Sequence, residues 1–318
     1  MDPAGFLADV ERRPETLAYL ADVLVQARPF TRLLDGIDEI VLLGMGSSAY
    51  AAGVAAARMR AHGLRATAEL ASSDLLPPPR SGQLVVAVSA SGTSPETLDA
   101  TERYRGRTRV LAVTEVGGSP LDGLAIETVP LLCGPEEGGV ACRSFTHTQA
   151  VLLALEKTAT GRLGDLTPVL EAAVDATADL MSRRDRWLPA VADHLDGPAG
   201  VYIAAPARRF GTAQQSALMV REGPRRPSTA CETGDWNHVD VYLTKTLDYR
   251  LLLLAGSAQD GELLGWTAQR GSTVVTVGAD PAGSAYGLRY AHDDVDDVRL
   301  LADVVVAELV AHRWWASP

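Results

Sequence analysis

The sequence predicts an α/β protein of two parallel sheets, each flanked by helices, and three observations carry that expectation. First, short runs such as Glu39–Leu43, Leu84–Val88, Arg109–Val113, Arg250–Ala255 and Ser272–Val277 alternate with stretches of helical period. Strand–helix alternation at this spacing builds a parallel sheet with helices on both faces. Second, these runs are apolar almost throughout, as strands buried on both faces must be. Third, the order recurs: the two halves of the 318-residue chain have similar length and element order, which implies an internal duplication without an evident sequence repeat.

Taken in order, residues 4–34 read as helical. Phe6, Leu7, Val10, Leu17, Leu20, Val23 and Leu24 fall near a 3.6-residue period that Pro14 interrupts. Strand 39–43 enters the turn Gly44-Met45-Gly46-Ser47-Ser48 and an alanine-rich helix from Ala49 to His62. A short strand Ala66–Leu70 and strand Leu84–Val88 follow, then a hydroxyl-rich turn and a helix Glu96–Arg105. Strand Arg109–Val113 and a short strand Thr128–Leu131 complete the first sheet. The loop Cys133–Arg143 leads into a helix from Ser144 to Thr158. Residues 166–196 read as one long helix that bridges into the second half. There, strand Gly200–Ala205, helix Gly211–Glu222 and a long irregular stretch with Pro224, Pro227, Gly234 and His238 are expected. Strand Arg250–Ala255, helix Gly261–Gln269, strand Ser272–Val277 and a last helix Val295–Trp314 close the chain. The expected organisation is a helical leader over 1–34, one α/β domain over 35–165 and a second over 166–318.

Composition narrows the function classes. A hydrophobic content of 47% supplies a core for two domains. Apolar runs are broken by Gly, Ser or charge well before the ~18 residues that a membrane span needs. The opening MDPAGFLADVERRPE lacks the basic-then-apolar order of a signal peptide. Cys133, Cys142 and Cys231 fit neither a disulfide framework nor a metal-ligand spacing, so the expectation is a reduced, cytoplasmic protein that holds no metal. The acidic cluster Asp293, Asp294, Asp296 and Asp297 reads as a solvated loop and helix start. A net charge of −11 argues against nucleic acid as a partner. It also means that an anionic ligand needs local positive potential, which helix amino termini supply.

The stretch Val85–Thr97, VVAVSASGTSPET, offers that potential. A buried strand breaks into Ser89, Ala90, Ser91, Gly92, Thr93 and Ser94, and Pro95 is placed to open a helix. Free backbone N–H groups and the positive end of the helix dipole both face such a turn. No Lys or Arg lies in it, so a phosphate would be held by amides and hydroxyls. The earlier turn reads G-x-G-x-x-A with Glu69 at the end of the next strand, a passable dinucleotide fingerprint. A serine cluster after the following strand has no use in a dinucleotide site. It fits a compact phosphorylated sugar, so a nicotinamide oxidoreductase is the weaker reading and no cofactor is expected.

Three segments, LLGMGSSAYAAG, VVAVSASGTSPETLDA and EGGVACRSFTHT, resemble the signature segments of the sugar isomerase (SIS) domain. The particular branch that the chain resembles is the tandem-SIS isomerase half of glucosamine-6-phosphate synthase and related phosphosugar isomerases and deaminases. It extends over essentially the whole chain and is stronger over 39–150 than in the second half. It implies two three-layer α/β/α SIS subdomains and a phosphate site at Ser89, Ser91 and Ser94 with the amides of Ala90 and Gly92. Ser47 and Ser48 would face the sugar hydroxyls. Val140, Ala141 and Cys142 match a segment that presents a backbone carbonyl and a serine to the sugar, the serine being cysteine here, a weaker hydrogen-bonding group.

In the second half, SALMVREG resembles the helix that presents the family's catalytic glutamate, which falls on Glu222. A carboxylate there moves a proton between C1 and C2 of an open-chain sugar and needs a pKa raised by burial. GDWNHVDVY resembles the segment with the ring-opening histidine, which falls on His238; Asp235 and Asp240 flank it and are candidates to orient it. In the family this histidine serves the neighbouring subunit, which implies a homodimer. There are departures. The family lysine before the glutamate aligns with Met219, and the chain stops at WWASP without the family's lysine-bearing tail. Lys157 and Lys245, the two lysines present, lie elsewhere, so no Schiff base is expected. With no glutaminase segment either, amination of fructose 6-phosphate by the synthase route is not expected. The expected function is aldose–ketose isomerisation or deamination of an amino or keto sugar 6-phosphate. The alternative is a catalytically silent phosphosugar sensor.

Overall fold

A computed structural model describes residues 1–317 and contains two five-stranded sheets, every strand pair in them parallel. The first holds β1 (Glu39–Gly44), β2 (Arg65–Leu70), β3 (Gln83–Val88), β4 (Arg109–Thr114) and β5 (Glu127–Pro130) in the order β2-β1-β3-β4-β5. The second holds β6 (Val201–Ala205), β7 (Ser228–Glu232), β8 (Arg250–Leu254), β9 (Thr273–Val277) and β10 (Tyr286–Leu288) in the order β10-β9-β8-β6-β7. Counted from its own first strand, each sheet has the same doubly wound order, 2-1-3-4-5. The duplication read from the sequence is thus present in the topology. β1 and β3 are buried along their whole length; each is apolar after its first residue, and those first residues, Glu39 and Gln83, hydrogen-bond each other at 2.9 Å.

The helices are α1 (Pro3–Glu11), α2 (Arg13–Ala27), α3 (Ser47–Ala61), α4 (Pro95–Glu102), α5 (Arg143–Ala159), α6 (Leu166–Ser182), α7 (Arg184–Leu195), α8 (Phe210–Glu222), the one-turn α9 (Thr233–Trp236), α10 (Asp260–Gln269), α11 (Asp296–Ala302) and α12 (Val304–Ala316). None is long and apolar enough to cross a membrane. Several boundaries differ from expectation. The helix expected over 166–196 divides at Arg183, whose guanidinium binds the Asp179 carboxylate and the Arg289 carbonyl. The last helix divides at Asp303, a fully buried carboxylate held by Arg209 at 2.5 Å and Tyr290 at 2.5 Å. The stretch expected to be irregular after α8 contains β7 and α9, and β10 is a further unexpected strand. The leading helical segment ends at Ala27, ahead of Arg28 at φ +46° and Pro29.

Two compact units are interleaved along the chain. Glu15–Pro135 and Arg143–Glu171 form the unit of the first sheet. Met1–Pro14, the short segment Glu136–Cys142 and the chain from Ala172 onward form the unit of the second. The segment 136–142, read from the sequence as part of a connecting loop, is therefore a strap laid against the second-sheet unit.

Candidate functional site

In a doubly wound sheet of order 2-1-3-4-5, ligands bind beyond the carboxyl ends of the first and third strands, where the winding reverses. In the first sheet these are β1 and β3, neighbours in register, Leu43 beside Ala87. The turns that leave them are Gly44–Ser48 and Ser89–Ser94, so topology alone brings together the two hydroxyl-bearing turns.

Local sequence shapes each turn. In the first, Gly44 sits so close to α3 that a Cβ would lie 2.9 Å from the Cβ of Ser48, and Gly46 has φ +50°. Ser47 and Ser48 form the first turn of α3, at its positive end, and both are partly exposed. In the second, a Ser89–Gly92 turn closes with the Gly92 N–H donating to the Ser89 carbonyl at 3.0 Å. Gly92 has φ +65°, and a Cβ there would lie 2.3 Å from the Ser119 hydroxyl oxygen, so only glycine fits. The carbonyl of Ala90 is held by the Glu115 N–H and the Thr114 hydroxyl. The N–H groups of Ala90 and Ser91 have no acceptor among the described residues. Ser91 Oγ accepts from the Thr93 N–H and hydroxyl, which leaves its own proton to donate outward. Ser89 is nearly buried. Ser94 is the N-cap of α4: its Oγ accepts from the Thr97 N–H at 3.4 Å and donates to Glu96 at 2.9 Å. That exposed carboxylate is held below its ordinary pKa by a hydrogen bond from its own backbone N–H and by Ser94. The Ser94 hydroxyl is thus already committed, unlike those of Ser89 and Ser91. Thr93, read from the sequence as part of the turn but given no role there, orients Ser91 through its N–H and hydroxyl.

Val140, Cys142, Glu222 and His238 belong to the second-sheet unit. Val140 and Cys142 lie in the strap and are buried. Glu136 collects the Cys142 N–H at 3.0 Å and its S–H at 3.3 Å, so the thiol hydrogen bond is directed within the strap. Burial, reinforced by the charge of Glu136, lifts the Cys142 pKa well above that of an ordinary thiol. Cys142 therefore stays protonated and is no nucleophile. On the strap's other side, Asp9 of α1 accepts the Gly138 N–H at 2.8 Å. Asp9, Glu136 and Cys142 bring three potential ligand atoms within 4.8 Å of one another. The hydrogen bonds and the firmly held thiol proton account for this grouping as a clasp.

Glu222 ends α8 and is half-buried; desolvation raises its carboxyl pKa above the ordinary value, with Arg221 opposing. The next residue, Gly223, packs under Trp315, whose ring also lies 5.9 Å from that of Phe6. Trp314 stacks under the Arg226 guanidinium at 4.5 Å. The terminal tryptophans thus pack around the end of α8. Met219 is buried at the position aligned with the family lysine. His238 is exposed on the loop after α9, its N–H donating to the Asp235 carbonyl. Asp240 does not orient it: that carboxylate is buried and takes a 3.4 Å hydrogen bond from Tyr249. Lys157 is buried in α5, and Lys245 lies over the Tyr242 ring at 5.1 Å. A residue unmarked in the sequence reading, Gln215, links the strap to α8: its Nε2 donates to the Ala141 carbonyl at 2.7 Å. The available signal was its place two helical turns before Glu222.

Parallel doubly wound sheets with a hydroxyl-lined winding reversal define a class of α/β ligand-binding proteins. Residues 33–156 match the SIS domain family, and the chain is homologous to glutamine–fructose-6-phosphate aminotransferases. A glutamine–fructose-6-phosphate aminotransferase (isomerizing) from Aeropyrum pernix is 29% identical over 293 residues, 86% of this chain and 47% of that protein. The chain spans about half the length of the curated relatives it matches. Among solved structures, the C-terminal domain of the Francisella tularensis aminotransferase superposes with a TM-score of 0.81 at 16% identity, covering 98% of this chain and 95% of that one. Tagatose-6-phosphate ketose/aldose isomerase from Escherichia coli gives 0.80 at 17%, covering 96% and 91%. These likenesses establish the fold.

Proposed function

We propose that this protein binds a phosphorylated sugar and moves a proton between C1 and C2 of its open-chain form, in aldose–ketose isomerisation or in deamination of an amino sugar 6-phosphate. The observation that carries the reading is the pair of hydroxyl turns at the winding reversal of the first sheet. The amide of Ala90, that of Ser91 in place of the expected Gly92 (whose N–H is taken by the Ser89 carbonyl), the hydroxyls of Ser89 and Ser91 and the start of α4 offer a phosphate donors without a cation. Ser47 and Ser48 serve the sugar hydroxyls. Glu222 is the base, its raised pKa suiting a carboxylate that must take a proton and return it. His238 opens the ring by proton transfer between ring oxygen and C1 hydroxyl. The activities for which the relatives are named, isomerising aminotransfer and ketose–aldose isomerisation, support such a step. A homodimer is part of the proposal: Val239 and Tyr242 stand exposed beside His238 and suit contact with a second copy.

The test is incubation with glucosamine 6-phosphate and fructose 6-phosphate in deuterated water, following C1 and C2 by NMR. Solvent exchange that falls at least about 100-fold in Glu222→Gln is the expected outcome. Thermal stabilisation by these sugars with no exchange would leave the silent sensor, a reading that the buried Met219 at the lysine position favours. The absence of both exchange and stabilisation would overturn phosphosugar binding itself.

A further inference from the structure

The strap Glu136–Cys142 has no regular secondary structure, yet it is fixed on three sides within its unit. At one end, Glu136 takes both protons of Cys142. In the middle, Gly138 is pressed so closely on α1 that a Cβ there would lie 2.5 Å from the Phe6 Cα. Its N–H and carbonyl are bound by Asp9 and by the Asp2 N–H. The third hold is Gln215. Its side chain is fully buried; its Nε2 donates to the Ala141 carbonyl at 2.7 Å and contacts the Met219 sulfur at 3.6 Å. Its Oε1 is buried and has no hydrogen-bond partner among the described residues.

A glutamine buried with half of its amide unsatisfied is costly, on the order of 1–3 kcal/mol for the orphaned group. A leucine of similar volume would avoid that cost, so packing alone does not explain the residue. What glutamine does here, and leucine cannot, is fix the direction of one carbonyl. The Ala141 carbonyl lies between Val140 and Cys142, so anchoring it sets the planes of the peptides on which this segment depends. Gln215 and Glu222, seven residues apart, lie on the same side of α8, about 10 Å apart along its axis. One helix thus carries the proposed base and the anchor of the strap.

We propose that Gln215 is a positioning residue: through the Ala141 carbonyl it holds the Val140–Cys142 segment in register with the helix that carries Glu222. The proposal rests on Glu222 acting as base, and a misplacement of about 1 Å at such a segment is worth up to about 100-fold in rate. Two variants of the full chain test it. Gln215→Leu keeps the volume and removes the donor. Gln215→Glu keeps the shape, and its carboxyl donates only when protonated, which burial brings into reach of mildly acid pH.

In Gln215→Leu, amide hydrogen exchange across residues 139–142 is expected to quicken about tenfold. Proton exchange on glucosamine 6-phosphate should fall about tenfold or more in kcat, with the affinity for inorganic phosphate within about threefold of wild type. Gln215→Glu should share the loss near pH 8 and regain most of it, relative to wild type, near pH 6. Wild-type strap exchange and turnover in Gln215→Leu would overturn the proposal, as would a loss in Gln215→Glu that is the same at both pH values. Should Gln215→Leu fail to fold, the pH comparison in Gln215→Glu decides. A wild-type protein that turns over no sugar removes the catalytic reading; the amide exchange then decides separately whether Gln215 orders the strap.

Discussion

At the scale of single residues, Glu222 combines partial burial with a place at the end of a helix, and its pH behaviour follows. Its folded pKa lies above the ordinary 4.5 because desolvation disfavours the charged form. A base must be ionised to act, so the acid limb of the exchange rate should sit above the usual glutamate range. The sign for stability is opposite to that of a salt-bridged carboxylate. The folded state holds this proton more tightly than the unfolded chain. The stabilisation is therefore complete below the unfolded pKa and is lost as pH rises through the folded one. Melting temperatures of wild type and Glu222→Gln, compared from about pH 4 to 8, should show wild type losing ground to the variant as pH rises. Parallel curves would contradict the raised pKa. The position of Glu222 was legible because a helical pattern and a local motif coincide there. Gln215 was not, because its partner Ala141 is 74 residues away in sequence, beyond any local spacing.

At the scale of elements, all five strands of the first sheet were legible, its edge strands β2 and β5 included, whereas the two edge strands of the second sheet were not. β7 follows Pro227, reads Ser-Thr-Ala-Cys-Glu and occupies a sheet edge, so one side needs no apolar character. β10 has three residues at the opposite edge. The strap was invisible as such, since what holds it comes from α1 and α8. Ties of this reach also join the helices of the second-sheet unit. Arg13, at the start of α2, pairs with Glu308 of α12 at 2.6 Å, both side chains with no exposure at all. Burial works against both charges, raising the Glu308 pKa, while the guanidinium opposite offsets it. Removing one partner strands the other charge, so Glu308→Leu should destabilise by about 3–5 kcal/mol, read by urea denaturation. Adding Arg13→Met should restore most of that loss. A Glu308→Leu chain of wild-type stability would show that the pair is not the tie that the geometry implies.

At the scale of the molecule, the duplication raises the question of whether both sheets bind a phosphosugar. The second sheet has its own winding reversal, between β6 and β8, with turns at 206–209 and 255–259. In the first sheet the corresponding turn after β3 keeps the N–H groups of Ala90 and Ser91 open. In the second, side-chain carboxylates of the protein take that place. Asp260 accepts the Gly256 N–H at 2.5 Å and the Ser257 N–H at 3.2 Å. Glu232 accepts the Ala207 N–H at 3.2 Å and those of Gly234 and Asp235 at 2.7 and 3.0 Å. Three guanidiniums, those of Arg209, Arg299 and Arg208, approach Gly256, and the protein's own carboxylates already pair them: Arg208 with Asp296 at 2.8 Å, Arg209 with Asp296 and Asp303 at 3.0 and 2.5 Å, and Arg299 with Asp303 at 3.5 Å. A phosphate would have to displace a carboxylate already carrying the charge that these amides favour. The protein should therefore bind one phosphosugar per chain, and titration calorimetry with fructose 6-phosphate should return a stoichiometry near one. Gly92→Ala, which drives a Cβ into Ser119, should abolish that single event. A second equivalent in wild type, or binding that survives Gly92→Ala and is lost in a variant of the 255–259 turn, would move the site to the second sheet. The two halves have kept one topology, and the difference lies in what each reversal presents: hydroxyls and open amides in the first, the protein's own carboxylates in the second.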